Sequence, residues 1–511
     1  MKMDSNKKMV VNTVILYAKL LIEISVNLYS TRLILLALGV EDFGIVNLIS
    51  GIVALLSFVQ NSMSVSSQRY MSVAMGQREC GQLERVFCSS FMLHFILAIL
   101  IFFLLECLVP VIFDSSIQIP EQRLDAAKNL YQLTILGTLL IIITVPYDAV
   151  LNAHENMLMY SIATIVESTI RLIGALVLLV YNNDKLIFYG VLLITIRLVS
   201  MLIKYIYCHR HYIETRHFVK AFDKKLMKEM FFFAFWNMFG ALALTGRAQG
   251  VAIVMNTFMG VVVNAAYGIA NQVSGQLLNF TATITKAMNP QIMQRAGVGD
   301  NIGMISLSLK QCKYSSILLS YAIVPLLFSM EFILKIWLKD VPDYALNFCM
   351  LILVVSVIQQ LSIGLMSMIQ ATGIIRNYQV CVSLCMLLNI PIAYMILKLN
   401  ARAEYVIVGM IVVEVFACAL RIFFAKRLAN LSIRSFVISV IAPVLLIYFF
   451  SCIGVYGFER LLLDGVQNVM SFIVLTSLSI VFISISALIV LSKDERLYLF
   501  NIIRRLIKKI I

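Results

Sequence analysis

The chain alternates between long apolar segments and short polar connections over its whole length of 511 residues. A helix that crosses the hydrocarbon core of a bilayer needs about 20 consecutive, mostly apolar residues, and roughly fourteen segments meet this requirement. We place them near residues 9–37, 43–73, 86–110, 127–148, 157–181, 186–207, 229–257, 263–288, 305–330, 346–369, 378–398, 404–425, 436–457 and 468–491. The sequence therefore predicts an all-α polytopic membrane protein.

The composition excludes an ordinary soluble fold. Hydrophobic residues make up 61% of the chain and charged residues only 13%, whereas a soluble domain carries about 25% charged residues. The formal net charge of +14 lies mostly in loops between apolar segments, so it indicates no nucleic-acid binding, and membrane lipid is the expected partner. The ten cysteines form no CxxC pair, and we predict neither a disulfide nor a metal site.

The distribution of Lys and Arg over the loops predicts the orientation. Basic residues concentrate on one side of the predicted helices, and such loops are retained in the cytosol. We therefore expect both termini in the cytosol and the protein in the cytoplasmic (inner) membrane of a bacterium. The predicted parts are an N-terminal six-helix lobe (1–208), a basic cytosolic loop (209–228), a second six-helix lobe (229–425), two additional helices (426–491) and a basic amphipathic cytosolic tail (492–511).

Polar side chains form a stripe along the second helix of each predicted lobe. The stripes consist of Asn47, Ser50, Ala54, Ser57, Asn61, Ser64 and Gln68 in the first lobe, and of Asn264, Gly268, Asn271, Gln272, Gln276, Asn279, Thr283 and Lys286 in the second. Spacings of three and four residues put most members of a stripe on one side of a helix. Such stripes either pack helices together or line a wet cavity, and their matching positions favour the cavity.

Six basic residues lie inside apolar segments, namely Lys19, Arg32, Arg69, Arg171, Arg197 and Arg247. A charge at the bilayer centre costs about 2.5–3.5 kcal/mol on insertion scales, so we expect these residues to face a shared polar interior. An electropositive interior suits an anionic substrate such as a phosphate. The candidate substrate-binding cations are Lys19, Arg32, Arg69, Arg197 and Arg247. Arg69 can alternatively snorkel to the lipid headgroups, and Arg247, between Gly246 and Gly250, is the strongest candidate.

Three carboxylates inside apolar segments are candidates for ion coupling. Glu23 follows Lys19 by four residues and Glu167 precedes Arg171 by four, so each can form an ion pair within its helix. Glu414 has no evident basic neighbour, and a buried carboxylate of this kind either takes up a proton or Na⁺ or is structural.

The chain carries no recognisable machinery for catalysis or ATP hydrolysis. It contains no glycine-rich phosphate loop of the Walker type, no paired catalytic carboxylates in an outer loop and no nucleophile–base constellation. These observations favour a transporter over an enzyme. We expect no cofactor apart from coupling to Na⁺ or H⁺.

Three short segments resemble a known family. The stretch from Arg32 to Ile45, with Gly39 and Glu41-Asp42-Phe43-Gly44, resembles the helix 1–2 junction of the polysaccharide (O-antigen type) flippases of the multidrug/oligosaccharidyl-lipid/polysaccharide (MOP) exporter superfamily. The stretch 336–345 is similar to the outer loop between helices 9 and 10 of that family, and the stretch 370–379 to its cytosolic turn between helices 10 and 11.

The resemblance implies a V-shaped, MATE-like pair of six-helix lobes that works by alternating access. It implies an undecaprenyl-pyrophosphate-linked oligosaccharide as substrate, moved from the cytosolic to the periplasmic leaflet for O-antigen or capsule synthesis. Lys19, Arg32, Arg69 and Arg247 lie on helices where binding of the pyrophosphate would fall. A polysaccharide polymerase and a chain-length regulator are the protein partners that this function would imply, and we expect a monomer.

The sequence is compatible with two other functions. One is an ion-coupled multidrug exporter of the same superfamily, against which the basic interior and the two extra helices argue. The other is a membrane polysaccharide polymerase or ligase, which typically needs a large outer loop with catalytic groups.

Overall fold

The structure is a computed structural model, and it describes residues 5–54, 56–77, 81–114, 120–216, 223–338, 340–462, 468–492 and 495–496. Within these ranges the protein is all-helical and contains no β-strand. Most of the predicted amphipathic tail lies outside the described residues.

Sixteen α-helical segments follow one another through the described ranges. They are α1 (Ser5–Ala54), α2 (Ser57–Gln77), α3 (Gln82–Asp114), α4 (Leu124–Ala153), α5 (Met157–Val180), α6 (Lys185–His211), α7 (Lys224–Gly297), α8 (Asn301–Leu338), α9 (Ala345–Leu361), α10 (Ile363–Thr372), α11 (Arg376–Leu387), α12 (Asn389–Lys398), α13 (Glu404–Ala429), α14 (Ile433–Phe436), α15 (Ala442–Leu462) and α16 (Val469–Val490). A five-residue π-helical turn joins α14 to α15.

The prediction of about fourteen membrane helices is confirmed. Among the described residues, 12 helical stretches are long and apolar enough to cross a membrane. The stretch Lys224–Gly297 is counted once although it holds two successive helices. The helical stretch that follows Gly39 carries the first polar stripe. It is therefore not apolar enough to be counted as a membrane span by length and hydropathy.

Single glycines join two successive helices at corresponding places in α1 and α7. Gly39 has φ 76° and ψ 176°, and Gly260 has φ 80° and ψ −178°. This region of backbone space is readily accessible only to glycine. The chain bends at Gly39 and at Gly260, where one helix ends and the next begins. In both cases the second helix carries the polar stripe.

The chain forms two compact units. The first unit contains Met1–Leu242 and Lys286–Met304, and the second contains Ala243–Thr285 and Ile305–Ile511. The first unit therefore holds the beginning and the end of α7, and the division into two lobes at the 209–228 loop stays a prediction.

Helix α4 is the centre of the first unit. It packs against α6, α3 and α2, while α1 packs along α5. Small residues of α4, including Ala127, Ala149 and Ala153, are completely buried. Small side chains let helix backbones approach closely, which is a main source of helix association in membranes.

Glycines attach the last part of α7 to α2 within the first unit. A Cβ atom on Gly76 would lie 2.2 Å from the carbonyl oxygen of Gln294, and one on Gly297 would lie 2.2 Å from that of Val73. Both contacts are with backbone, which cannot move aside like a side chain. The absence of a side chain at these two positions therefore permits the packing that makes Lys286–Met304 part of this unit.

Helix α13 is the centre of the second unit, where it packs against α9, α10, α11 and α12. The main apolar core of this unit contains Val251, Tyr267, Phe348 and Met410, all of them buried. Helices α15 and α16 pair with each other and share a smaller core with Val324 of α8.

Candidate functional site

The turn between α4 and α5 supports the candidate site in the first unit. Glu155 in this turn has a positive φ of 55° and is buried. Its carbonyl oxygen accepts a hydrogen bond from Asn12 Nδ2 of α1 (3.0 Å), and its Oε2 accepts one from Gln291 Nε2 of α7 (3.0 Å). Asn156 caps α5 with its side chain. The turn thereby fixes α1, α5 and the end of α7 to one another around Tyr160.

Three lysines surround the ring of Tyr160. The ammonium nitrogen of Lys286 lies 3.5 Å from the ring centroid, that of Lys204 5.5 Å and that of Lys19 5.7 Å. Ammonium groups within about 6 Å of an aromatic face are attracted to it electrostatically. We call Lys19, Lys204, Lys286 and Tyr160 the lysine cluster. Sequence reasoning named only Lys19 as a binding residue.

The three ammonium groups differ in their carboxylate partners. Lys19 pairs with Glu23 at 2.5 Å, and Lys204 pairs with Asp148 at 2.9 Å. The side chain of Lys204 is 7% exposed and that of Lys19 15%. Within the described part of the chain, no carboxylate lies at ion-pair distance from Lys286. The lysine cluster therefore carries one positive charge more than its carboxylates neutralise.

An uncompensated ammonium group in a membrane-spanning bundle creates a site for an anion. Removing a charge from water is unfavourable unless an opposite charge or hydrogen bonds replace the water. Lysine offers a compact charge with three donors, which suits phosphate oxygens. The lysine cluster can thus bind a phosphate-bearing group, with Lys286 as its free charge and Lys19 beside it.

A second polar network in the first unit corrects one sequence prediction. Glu167 pairs with Arg197 of α6 at 3.1 Å and also accepts a hydrogen bond from Ser200. Arg171 instead donates to Asn27 Oδ1 of α1 at 3.0 Å. The predicted ion pair between Glu167 and Arg171 is therefore wrong. Each of the two side chains instead has its partner on a neighbouring helix, α6 for Glu167 and α1 for Arg171.

Arg197 faces a cavity inside the first unit. The cavity has a volume of about 250 Å³. Its polar lining consists of Ser50, Gln60, Thr134, Thr138 and Arg197. Arg197 thus has its ion pair with Glu167 on one side and the cavity on the other.

The other two candidate cations of the first unit do not join the lysine cluster. Arg69 is buried at 9% exposure, and its guanidinium carbon lies 4.7 Å from the ring centroid of Tyr70 and 5.0 Å from that of Phe233. Arg32 is exposed. At 100° per residue, it lies about 220° around α1 from Lys19.

Arg247, the strongest candidate from the sequence, belongs to a buried ion network in the second unit. Its Nη1 lies 3.6 Å from Glu414 Oε2. The other oxygen of Glu414 accepts a hydrogen bond from Arg421 Nη1 at 2.8 Å, and the carboxylate is 0% exposed. Arg421 also donates to Ser362 Oγ at 2.9 Å, in the break between α9 and α10. We call Arg247, Glu414 and Arg421 the arginine–glutamate network.

The arginine–glutamate network corrects the view of Glu414 as a carboxylate without a cation. Sequence reasoning missed Arg421, although it follows Glu414 by seven residues and seven residues are about two helical turns. The network is largely closed to solvent, since the Arg247 side chain is only 13% exposed. Glu414, which lies between two guanidinium groups, therefore serves as the counter-charge to Arg247 and Arg421 inside the protein.

The polar stripes remain largely exposed in the structure. Their exposed amides are Asn47, Asn61, Gln272, Gln276 and Asn279. Gln68 and Asn271 are half-buried, and Gln68 Nε2 donates to Ser64 Oγ at 3.2 Å. Hydrocarbon offers no hydrogen bonds to an amide. Exposed amides at membrane depth therefore indicate contact with water or with a polar ligand.

The described residues contain no cluster of His, Cys, Asp or Glu that could hold a metal ion.

The fold and the buried cations together define a polytopic membrane protein with the architecture of MOP-superfamily transporters. Solved structures with this fold include a MATE protein in the bent conformation, at TM-score 0.72 and 12% identity over 84% of this chain and 96% of that one. An outward-facing multidrug resistance MATE family transporter of the MOP superfamily gives TM-score 0.70 and 12% identity over the same shares.

A MOP superfamily transporter from Pyrococcus furiosus, described as having a binding pocket of reverse polarity, gives TM-score 0.69 and 13% identity over 84% and 96%. No protein of curated function matches the chain in sequence. The model of the family described as polysaccharide biosynthesis protein matches residues 6–295. The chain belongs to this family, and the resemblance noted from the sequence is confirmed.

Proposed function

We propose that the protein is a flippase that moves undecaprenyl-pyrophosphate-linked oligosaccharides from the cytosolic to the periplasmic leaflet by alternating access. The observation that carries the proposal is the lysine cluster. It holds an ammonium group, that of Lys286, for which the described residues supply no carboxylate partner and which an anionic ligand would neutralise.

The membership of the chain in a polysaccharide biosynthesis family supports a glycan-bearing substrate. In polysaccharide biosynthesis, a lipid diphosphate supplies both the anion that the lysine cluster suits and the sugar hydroxyls that exposed amides can bind. Lys286 and Lys19 would hold the diphosphate, and Tyr160 would keep both ammonium groups oriented. Lys204 would act mainly through Asp148, because its side chain is nearly buried.

The position of the lysine cluster suits the loading step. Tyr160 lies one turn from the start of α5, and Asp148 and Lys204 lie within two turns of the ends of α4 and α6. With the predicted cytosolic termini, this end of the first unit is on the cytosolic side. A diphosphate headgroup in the cytosolic leaflet would therefore meet the site first.

Coupling to an ion would have to break an existing ion pair. Each of the three candidate carboxylates has a basic partner: Glu23 has Lys19, Glu167 has Arg197 and Glu414 has two arginines. A proton or Na⁺ would have to displace an ammonium or guanidinium group. Glu23 is the most exposed of the three at 28%, so it is the proposed site of any such exchange.

The test is a flipping assay in proteoliposomes. The purified protein is reconstituted with undecaprenyl-pyrophosphate-linked oligosaccharide, and a lectin in the outer solution reports the sugar in the outer leaflet. We expect the wild-type protein to accelerate its appearance. The double variant Lys19→Gln/Lys286→Gln should slow it at least about tenfold, because losing one charged hydrogen bond costs about 1.5–3 kcal/mol. Lys335→Gln, an exposed lysine of α8, is the matched control.

The alternatives give different outcomes. Wild-type flipping rates in the double variant would remove the lysine cluster from the mechanism. Efflux of cationic drugs without any movement of the lipid-linked glycan would establish the multidrug exporter instead. Joined glycan chains in the same vesicles would establish a polymerase or ligase.

A further inference from the structure

A groove in the second unit combines two amides with an indole ring. The groove lies between the second half of α7 and α8 and has a volume of about 340 Å³. Its lining residues are Gln272, Val273, Gln276, Leu277, Leu326 and Trp337. We call it the tryptophan groove. None of its lining residues carries a charge.

The two glutamines of the tryptophan groove are available to a ligand. Gln272 and Gln276 are one helical turn apart on α7, and both are exposed. In the described part of the molecule, neither amide forms a hydrogen bond with the protein. Each amide offers two donors and a carbonyl acceptor. Facing lipid, these groups would be left unsatisfied, which is unfavourable.

Trp337 brings an aromatic surface to the same groove. It is one of only two tryptophans in the chain, and 46% of its surface is exposed. Two residues earlier, Lys335 pairs with Glu331 at 2.6 Å, and both side chains are more than half exposed. An ion pair of this kind indicates that the end of α8 is hydrated. The tryptophan groove thus extends from a hydrated helix end to the amides of α7.

This chemistry suits a neutral pyranose ring. A sugar ring presents polarised C–H bonds on one face, which fit the negative face of an aromatic ring, and hydroxyl groups at its edge, which fit amide donors and acceptors. An anion would find no positive charge in the lining, and an acyl chain would leave both amides without partners. A mostly apolar lining with a few polar groups that orient the ligand is typical of small-ligand sites.

We propose that the tryptophan groove binds an uncharged sugar residue of the substrate, with Trp337 stacking on the ring and Gln272 and Gln276 bonding its hydroxyls. This inference rests on the proposed function, because it assigns the glycan part of that substrate to a site of its own. The lysine cluster then recognises the diphosphate part, and the groove makes the protein selective for carriers that bear sugar.

The test compares two radiolabelled lipids bound to the protein in nanodiscs. One is undecaprenyl pyrophosphate alone, and the other is undecaprenyl pyrophosphate carrying the oligosaccharide repeat from the source cells. For the wild-type protein we expect the glycan to lower Kd at least about tenfold, a preference worth about 1.4 kcal/mol. Trp337→Leu and the double variant Gln272→Leu/Gln276→Leu should reduce this preference to about twofold or less, with Kd for the bare diphosphate lipid unchanged. Trp337→Phe should keep most of it.

Matched controls separate recognition from stability. Trp236→Leu removes the other tryptophan and should leave the preference at its wild-type value. The double glutamine variant adds only apolar side chains to a membrane helix, so it provides a test even where Trp337→Leu does not fold. Lys286→Gln should weaken both lipids equally and preserve their ratio.

The outcomes distinguish failure of the inference from failure of the proposed function. A tenfold preference that survives in both groove variants would overturn the inference, and Trp337 would then be an interfacial anchor of the common aromatic belt. A wild-type protein that binds both lipids equally would overturn it as well, while leaving the diphosphate site intact. If wild-type and Lys286→Gln proteins bind the diphosphate lipid equally weakly, the proposed function itself fails.

Discussion

The lysine cluster and the arginine–glutamate network each contain one positive charge more than their carboxylates neutralise, but they distribute this excess charge differently. In the arginine–glutamate network, one fully buried carboxylate lies between two guanidinium groups, and the less buried of these, Arg247, is 13% exposed. In the lysine cluster, Lys19 and Lys204 have their own carboxylates, whereas Lys286 contacts an aromatic ring. A position inside an apolar segment is therefore a poor guide to which cation can bind a ligand.

The difference teaches that pairing decides the role of a buried cation. Breaking a buried ion pair leaves an uncompensated charge and costs several kcal/mol, so Arg247 is committed to Glu414. Lys286 has no carboxylate partner in the described part of the chain and contacts an aromatic ring instead. The former group stabilises a fold, and the latter is suited to transport.

The largest effect is expected at the centre of the arginine–glutamate network. Glu414→Gln removes the one carboxylate that, among the described residues, pairs with both buried guanidinium groups, and we expect a loss of about 3–5 kcal/mol in stability. The measurement is the yield of monodisperse protein and its melting temperature in detergent. Glu23→Gln, at a carboxylate that is 28% exposed rather than fully buried, is the control with little change. Equal stability of the two variants would contradict the distinction between the two sites.

An intermediate effect is expected on ligand affinity at the lysine cluster. Lys286→Gln should weaken binding of inorganic pyrophosphate about 10- to 100-fold, the loss expected for a charge-assisted contact. Because Lys286 has no carboxylate partner among the described residues, the melting temperature should stay constant or rise slightly. Tyr160→Phe should retain affinity and Tyr160→Leu should lose part of it, as measured by calorimetry. A large drop in melting temperature for Lys286→Gln would show that its charge is structural.

A smaller effect is expected where α7 packs on α2 and thereby places Lys286. Gly76→Ala puts a methyl group against the carbonyl oxygen of Gln294, and overpacking of this kind costs about 1–3 kcal/mol. Protease sensitivity should therefore increase, and the affinity for pyrophosphate should decrease. Gly457→Ala is the control, because nothing lies within 4 Å of its added methyl group. Wild-type affinity in Gly76→Ala would mean that the lysine cluster does not depend on this contact.

The smallest effect is expected at Glu495, a carboxylate that follows the last membrane-spanning helix. Burial alone would raise the pKa of Glu495, but hydrogen bonds from Lys313 Nζ (2.7 Å) and from the Ser492 N–H (2.8 Å) outweigh it, so this pKa lies below its ordinary value. The resulting stabilisation is complete above about pH 4.3, the value of a free Glu, and is lost as pH falls through the lowered pKa.

Glu495→Gln should therefore lower the melting temperature slightly at pH 7 and by less at pH 3, which a pH series of thermal unfolding measures. Glu331→Gln, at an ion pair whose carboxylate is 64% exposed, should leave the melting temperature unchanged at both pH 7 and pH 3. A wild-type melting temperature for Glu495→Gln at pH 7 would show that the contact with α8 contributes nothing.

The sequence predicted most of the fold because the determining signal is local. The length of each apolar run decides whether it can cross a bilayer, and the position of Gly39 marked a junction that the structure contains. The polar stripes were also visible, since spacings of three and four residues define one side of a helix without any tertiary information.

The candidate site was only partly predictable, because ion pairing depends on helices far apart in the chain. Lys19 was named from its own segment, but Lys204 lies near a helix end and Lys286 at the end of a stripe, so neither stood out as a binding residue. Glu167 and Arg171 had the right spacing for a pair, yet each has its partner on another helix.

The sequence by itself determined a many-spanning helical membrane protein with an excess of positive charge inside, because hydrophobic run length and charge content are properties of each segment alone. Only the tertiary structure decided which cations are neutralised and which are left for a ligand. The physical reason is that a charge in a low-dielectric interior is governed by its few nearest partners, and packing brings those partners from distant parts of the chain.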